Sequence, residues 1–269
     1  MRIQDPSKMS SLAADTGLST IHLLSLSTPL PIFLISVAAL QPQPLTVAKV
    51  AAWVHPPETV SVGSLVAGKS WDVLLVLRGG GDVPKSLKAT VKASWSITAK
   101  VSSGMIENYR EMNKTMLRPK PEDIPELRPR VAGGNTVPTQ DRTEPLAFRV
   151  SPELEAWFHS FSTTNGAGPV SMFNLLSYAD KDKYMEYIKA FGESLTPHYG
   201  GTLKIYGEVV TSSVEGKVWD DVAIVQYPSI THFADMLASE EYAAIDRKHK
   251  VGALKDTGIL CTMELDLED

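Results

Sequence analysis

The chain has 269 residues, of which 43% are hydrophobic and 21% charged, and a formal net charge of -5. This balance excludes a fibrous or wholly disordered chain, argues against a bulk nucleic-acid binder, and leaves room for one large or two modest domains. Cys261 is the single cysteine, so the fold has no intramolecular disulfide and no Cys-based zinc cluster. The expected compartment is the cytoplasm.

Residues 1–20 read as a polar, Ser-rich tail. The apolar stretch Ile21 to Leu40 is broken by Pro29 and Pro31 and contains His22. It is read as soluble structure rather than a membrane span, and the polar start does not suit a signal peptide, which leaves Asn113-Lys114-Thr115 as an idle glycosylation match. Ile21 to Leu26 is expected to be a strand and Pro29 to Leu40 a short helix. Val47 to Val54 and Trp71 to Leu77 are expected as strands, and Leu87, Val91, Trp95 and Thr98 fall at helical spacing. Residues 21–118 thus form an N-terminal unit with the order β-α-β-β-α.

Six prolines between Pro119 and Pro145 mark residues 119–150 as a connecting arm, with Leu146 to Val150 as a possible closing strand. Ser151-Pro152 caps a helix through Phe161. Strand Val170 to Tyr178 follows, then a helix with Tyr184, Ile188, Phe191 and Leu195 on one stripe, stopped by Gly200-Gly201. Strands Leu203 to Val210 and Val222 to Tyr227, helices Ile230 to Ala238 and Glu240 to Leu254, and strand Ile259 to Leu265 complete residues 151–269. That order is β-α-β-β-α-β, the split βαβ pattern of a ferredoxin-like domain.

Gly68-Lys69-Ser70-Trp71-Asp72 returns as Gly216-Lys217-Val218-Trp219-Asp220, 148 positions later and again just before a strand. An internal duplication explains both the repeat and the matching element order. Because the Trp-Asp pair occurs twice, it reads as structural. The halves differ in charge: residues 1–100 carry nine Lys/Arg and five Asp/Glu, and residues 151–269 carry nine and nineteen. This supports weak mutual attraction and a solvated acidic face.

Gly63 to Ser70 matches a P-loop pattern, but Trp71 to Leu77 after it reads as a strand. A P-loop needs a helix there, whose N-terminal N–H groups cradle phosphate, so the Gly-Lys is read as turn chemistry. The scattered histidines form no zinc motif, and no Gly-x-Ser-x-Gly elbow is present. Tyr242, Ile245, His249 and Ala253 fall at 3, 4, 4 spacing, which turns the His249 imidazole toward the sheet as a proton-transfer group. The plainer alternative is a core histidine hydrogen-bonded to a carbonyl. Asn174 shares a strand face with Met172, Leu176 and Tyr178, and Tyr206 shares one with Glu208. Glu208 is the reserve base, with Asn174 and Tyr206 orienting substrate, and the plainer alternative puts Glu208 at the rim in water.

The runs Val170-Ser-Met-Phe-Asn-Leu-Leu, Gly200-Gly201, Tyr206-Gly207, Trp219-Asp220, Tyr227-Pro228-Ser229, Phe233-Ala-Asp-Met236 and Glu241-Tyr242, with the Arg247 to Asp256 segment, resemble the domain of unknown function 1330 family of the dimeric α+β barrel superfamily. His22 to Leu26 with Trp71-Asp72 resembles the divergent N-terminal copy of two-copy fungal members. The resemblance implies an α+β fold in which two fused ferredoxin-like (βαββαβ) units with antiparallel sheets form an intramolecular pseudo-dimeric α+β barrel. Lys250 stands where relatives usually carry Arg. The wider superfamily includes cofactor-free monooxygenases, decarboxylases, cyclases, isomerases and haem proteins, and fold analogy alone assigns no residue.

The leading expectation is a small-molecule enzyme of fungal secondary metabolism, of the lyase, isomerase or cyclase type, with catalytic His249 and Glu208 and substrate-binding Asn174 and Tyr206. No cofactor, metal, nucleic-acid or membrane partner is expected, and the chain is read as a monomeric pseudo-dimer or a homodimer. The alternatives are a non-catalytic small-molecule-binding or scaffold protein, and a cofactor-free monooxygenase acting on a phenol.

Overall fold

The computed structural model describes residues 16–127, 150–212 and 219–265. In chain order these form β1 (Thr16–Leu26), α1 (Leu30–Ala38), β2 (Thr46–His55), α2 (Val62–Leu65), β3 (Val73–Arg78), β4 (Val91–Ser102), α3 (Ser103–Glu107) and α4 (Tyr109–Leu117). After the connecting region come α5 (Pro152–Asn165), β5 (Val170–Tyr178), α6 (Lys181–Ser194), α7 (Thr196–Tyr199), β6 (Thr202–Ser212), β7 (Asp221–Tyr227), α8 (Ile230–Leu237), α9 (Glu240–Ile245) and β8 (Leu254–Glu264). A π turn, Asp246–Lys250, joins α9 to the approach to β8. Among the described residues no helix is long and apolar enough to cross a membrane.

The eight strands close into a barrel in the order β1-β3-β2-β8-β5-β7-β6-β4. Every neighbouring pair is antiparallel. The four strands of each half are contiguous in this ring and meet at two backbone-paired seams. One runs from Ala48↔Glu264 to His55↔Ile259, the other from Ile97↔Ser212 to Val101↔Gly207. Gly207 is required at the second seam: a Cβ there would lie 2.6 Å from the Lys100 carbonyl oxygen.

Side chains alternate across the barrel wall because successive strand residues point to opposite faces. Leu23, Trp95, Ile97, Phe173, Leu175, Ile224 and Leu260 pack the interior, which is a filled core. Outside the second half, Met172 and Leu176 pack against Phe158, Tyr184, Phe191 and Phe233 of α5, α6 and α8. Outside the first half, Leu24, Val73 and Leu75 pack against Phe33 and Val37 of α1. A buried polar group closes one end of the barrel. Lys204 Nζ donates to Gln226 Oε1 at 2.9 Å and to the Glu264 carboxylate, and Asn113 of α4 donates to Glu264 as well.

Local capping fixes the helices of the second half. Ser151, Ser229 and Ser239 hydroxyls accept from the N–H groups of Leu154, His232 and Tyr242 at 3.2, 3.3 and 3.1 Å, and Asp180 accepts from Lys183 N–H at 3.0 Å. Each such cap stabilises its helix by about 1 kcal/mol. Gly200, at φ 72°, ends α7.

The antiparallel α+β expectation agrees with this architecture, with several corrections. The segment around Leu87, Val91, Trp95 and Thr98 is the long strand β4, preceded by a 3-10 turn over Lys85–Thr90. A four-residue spacing suits both a helix and a strand, and the β-branched Val91, Ile97, Thr98 and Val101 decide for the strand. The first half's next helices, α3 and α4, therefore follow its fourth strand. β1 begins at Thr16, inside the expected tail, and β8 begins at Leu254, inside the expected last helix. The rest of the tail, most of the arm with its closing strand at 146–149, and Gly216 to Val218 lie outside the described residues. Gly63 to Ser70 runs from α2 toward β3, so no helix follows it to receive a phosphate.

Candidate functional site

A cavity of about 80 Å³ lies between the outer face of the second-half sheet and α6, α8 and α9. The sheet contributes Met172, Asn174, Tyr206 and Tyr227, the helices Tyr184, Tyr187 and Tyr242, and the π turn Lys250. Drug-sized ligand sites span roughly 300–1,000 Å³, so this cavity accommodates a molecule of a few heavy atoms.

Lys250, and not His249, is the residue of this segment that lines the cavity. Val251 N–H donates to Asp246 C=O at 3.0 Å, an i→i+5 bond that inserts one extra residue into the helical turn. The insertion shifts the phase so that Tyr242, Asp246 and Lys250 face inward, all three buried. Lys250 Nζ donates to the Tyr242 hydroxyl at 3.3 Å and sits 3.6 Å from Asp246 Oδ1. It also lies 5.5 Å and 5.9 Å from the ring centroids of Tyr187 and Tyr242, within cation–π range.

The same shift moves His249 off the sheet-facing stripe expected of a regular helix. It stands at the edge of the helical layer, with Nδ1 3.4 Å from Glu186 Oε2 of α6, and does not line the cavity. The only hint available in sequence was composition: Asp246 to Lys250 packs five polar residues, Asp-Arg-Lys-His-Lys, into a segment with buried neighbours on both sides.

Asn174 and Tyr206 both line the cavity. Asn174 Nδ2 donates to its own strand's Met172 C=O at 2.8 Å, which fixes the amide plane. The Tyr206 hydroxyl donates to the Asp221 carboxylate. Asp221 is fully buried and also accepts from Tyr178 OH at 2.9 Å and from Lys181 Nζ at 2.8 Å. The carboxylate beside Tyr206 is therefore Asp221, across the β6–β7 ladder. Glu208 shares the Tyr206 face, as its position in the strand requires, but lies past the helices' cover and is exposed. Its place opposite Asp221 in the register was the missing signal, because pairing partners are not written in a single strand.

Burial pushes the Tyr187 and Tyr242 hydroxyls well above the ordinary phenol pKa, with the neighbouring phenols and Asp246 adding to it. Burial raises Tyr206 too, followed by the Asp221 charge. At neutral pH these phenols keep their protons and act as donors. A carbonyl or enolate oxygen entering the cavity would meet an ammonium and several O–H groups, an arrangement that favours developing negative charge. His232, by contrast, is used up structurally, with Nδ1 2.8 Å from Ser229 Oγ and Nε2 2.9 Å from Pro125 O. Among the described residues no group of three or more His, Cys, Asp or Glu side chains is placed to hold a metal ion.

The residues that wall this cavity coincide with a known family. Residues 172–261 match the domain of unknown function family DUF1330. The DUF1330 segment runs from β5 into β8 and includes the π turn and every cavity residue named above. Two crystal structures resemble the chain: a protein of unknown function from Rhodopseudomonas palustris, a structural genomics target, and a methylated form of it. They are 21% and 23% identical, each covering 43% of this chain and 95% or 93% of its own, with a TM-score of 0.38 for both. None of the curated proteins compared matches the chain.

Proposed function

We propose that the DUF1330 half is a small-molecule site at which Lys250 and Tyr242 stabilise negative charge on a ligand oxygen during proton transfer, as in a lyase, isomerase or cyclase. The observation that carries this reading is the buried Lys250 ammonium at the cavity wall, between two phenol rings. Asp246 at 3.6 Å offsets the cost of burying this cation, and Lys250 also lines the cavity where a ligand would arrive. Asn174 and Tyr206 orient the ligand, Lys250 and Tyr242 stabilise its oxygen as charge develops there, and solvent takes up the carbon proton, so His249 has no part in the cavity on this reading.

The test is α-deuteration of a small ketone, acetone, in D2O, followed by proton NMR. Wild-type protein should accelerate the exchange, and Lys250→Met combined with Asp246→Leu, which leaves no unpaired buried carboxylate, should not. Equal rates with the two proteins would overturn the reading. The small cavity volume favours one second reading, a binding or scaffold protein, which predicts ligand-induced shifts at Asn174 without exchange.

We infer further that the halves descend from one ferredoxin-like unit by duplication. The order β4-β1-β3-β2 in the first half has its counterpart in β8-β5-β7-β6 in the second. The Trp-Asp pairs support this. Asp72 accepts from Leu26 N–H at 2.7 Å and Asp220 from Tyr178 N–H at 2.8 Å, each tying the approach to the third strand of its half to the end of the first. On this reading the chain is a pseudo-dimer in itself.

A further inference from the structure

The first half has a cavity of its own on the corresponding face of the barrel. Asp72 N–H donates to Leu24 C=O and Asp220 N–H to Leu176 C=O, both at 2.8 Å. Counting back two residues along each strand places His22 where the second half has Asn174. His22 is fully buried on β1 and lines a cavity of about 230 Å³ walled by Leu40, Pro42, Leu77, Pro84 and the Gly79–Gly81 backbone.

One edge of the imidazole is satisfied and the other is not. Nδ1 lies 2.6 Å from Ser96 Oγ on β4, while Nε2 has no hydrogen-bond partner. Buried polar atoms are rarely left in that state, and each exception asks for an explanation. The neighbouring Thr20 hydroxyl is already committed to Gly79 C=O and Thr98 Oγ1 at 2.8 and 2.9 Å. Burial also depresses the His22 pKa to about 4, against the opposing charge of Asp82, so the ring is neutral at physiological pH.

We propose that this cavity is a second ligand site, in which His22 Nε2 hydrogen-bonds the hydroxyl of a small, uncharged, mostly apolar molecule such as a phenol. A neutral imidazole offers one donor and one acceptor nitrogen, and a hydroxyl such as that of Ser96 at Nδ1 is chemically able to donate or accept. A ligand hydroxyl, which both donates and accepts, is the group that fits Nε2 in either tautomer. The leucine and proline walls take the apolar body. The exposed Arg78 and Asp82 at the rim oppose each other in sign, so neither a net anion nor a net cation is favoured.

The test is a phenol titration of the 15N-labelled full chain, read by long-range proton–nitrogen correlation of the histidine rings and by the amides of Gly80 and Gly81. The His22 signal is assigned by its loss in His22→Phe. The expected result is a saturable shift of His22 Nε2 and of both glycine amides, with affinity at those amides about tenfold weaker in His22→Phe, the order expected for one lost buried hydrogen bond. Leu40→Trp, which fills the cavity and leaves His22 in place, should abolish the shifts, and it decides the matter alone should His22→Phe not fold. An unmoved Nε2, unchanged glycine shifts in Leu40→Trp, or shifts confined to the Asn174 and Tyr187 region would overturn the proposal.

Discussion

Lys250 holds its ammonium nitrogen 3.6 Å from an Asp246 carboxylate that is wholly removed from water. Neither Asp246 oxygen has a hydrogen-bond donor, so the carboxylate depends on the charge of Lys250. Removing one member of a buried ion pair typically costs about 3–5 kcal/mol, whereas replacing both with apolar groups is often nearly neutral. Lys250→Met should therefore lower the unfolding free energy by about that amount, and Lys250→Met with Asp246→Leu should restore most of it. Urea titration of the three proteins checks this. Equal loss in the single and double variants would show the pair to be independent.

Acid should destabilise the fold well before the carboxylates titrate. Burial depresses His22 and His55 from 6.5 to about 4, the Lys250 charge adding to the effect at His55. Between those values the unfolded chain binds protons that the folded chain does not, so stability is full above pH 6.5 and falls as pH drops toward 4. The loss is on the order of 3 kcal/mol per histidine. Urea midpoints measured from pH 7 to 4 should show this slope, and His55→Leu should flatten it.

Asp256 ties the two halves together. Its carboxylate accepts from the N–H groups of Glu58, Thr59 and Val60 at 3.1, 2.8 and 2.6 Å, from the Thr59 hydroxyl at 2.8 Å and from Thr257 N–H at 2.8 Å. Burial alone would raise its pKa, but the bonds from residues 58–60 together hold it below the usual 3.8. A depressed carboxyl stabilises above its unfolded pKa and loses that contribution as pH falls through the folded one. Asp256→Asn should cost about 2 kcal/mol at pH 7 and much less near pH 2. Thermal melts at the two pH values separate these outcomes.

Gly207→Ala tests the β4–β6 seam. The added methyl meets backbone, the Lys100 carbonyl, rather than a side chain that could swing away. A loss of about 1–3 kcal/mol is expected from such overpacking. Hydrogen exchange should quicken at Ala99 and Val101, and unchanged exchange there would count against a rigid seam.

The second half was the more legible from sequence, because β5, α6, β7 and α8 carry clean apolar periods bounded by Ser, Asp and Gly signals. The Trp71-Asp72 and Trp219-Asp220 pairs were also readable, and their carboxylates perform the same local tie. β4 was misread because its spacing of four satisfied two periods at once. The Lys250 position was hidden for a different reason: one inserted residue in a turn leaves no mark on side-chain pattern, yet it exchanges a histidine for a lysine at the cavity. Asp221 was overlooked because only cross-strand register brings it to Tyr206.

The ring of strands described above has a bearing on how copies of this protein can meet. Every described strand has hydrogen-bonded neighbours on both flanks, so none of them is a free edge strand along its whole length onto which a stray polypeptide could zip. Side chains on the helices, such as the exposed Ile32 and Ile35 of α1, offer a surface for contacts of another kind. Contacts of that kind can be abolished by single surface substitutions without disturbing the interior.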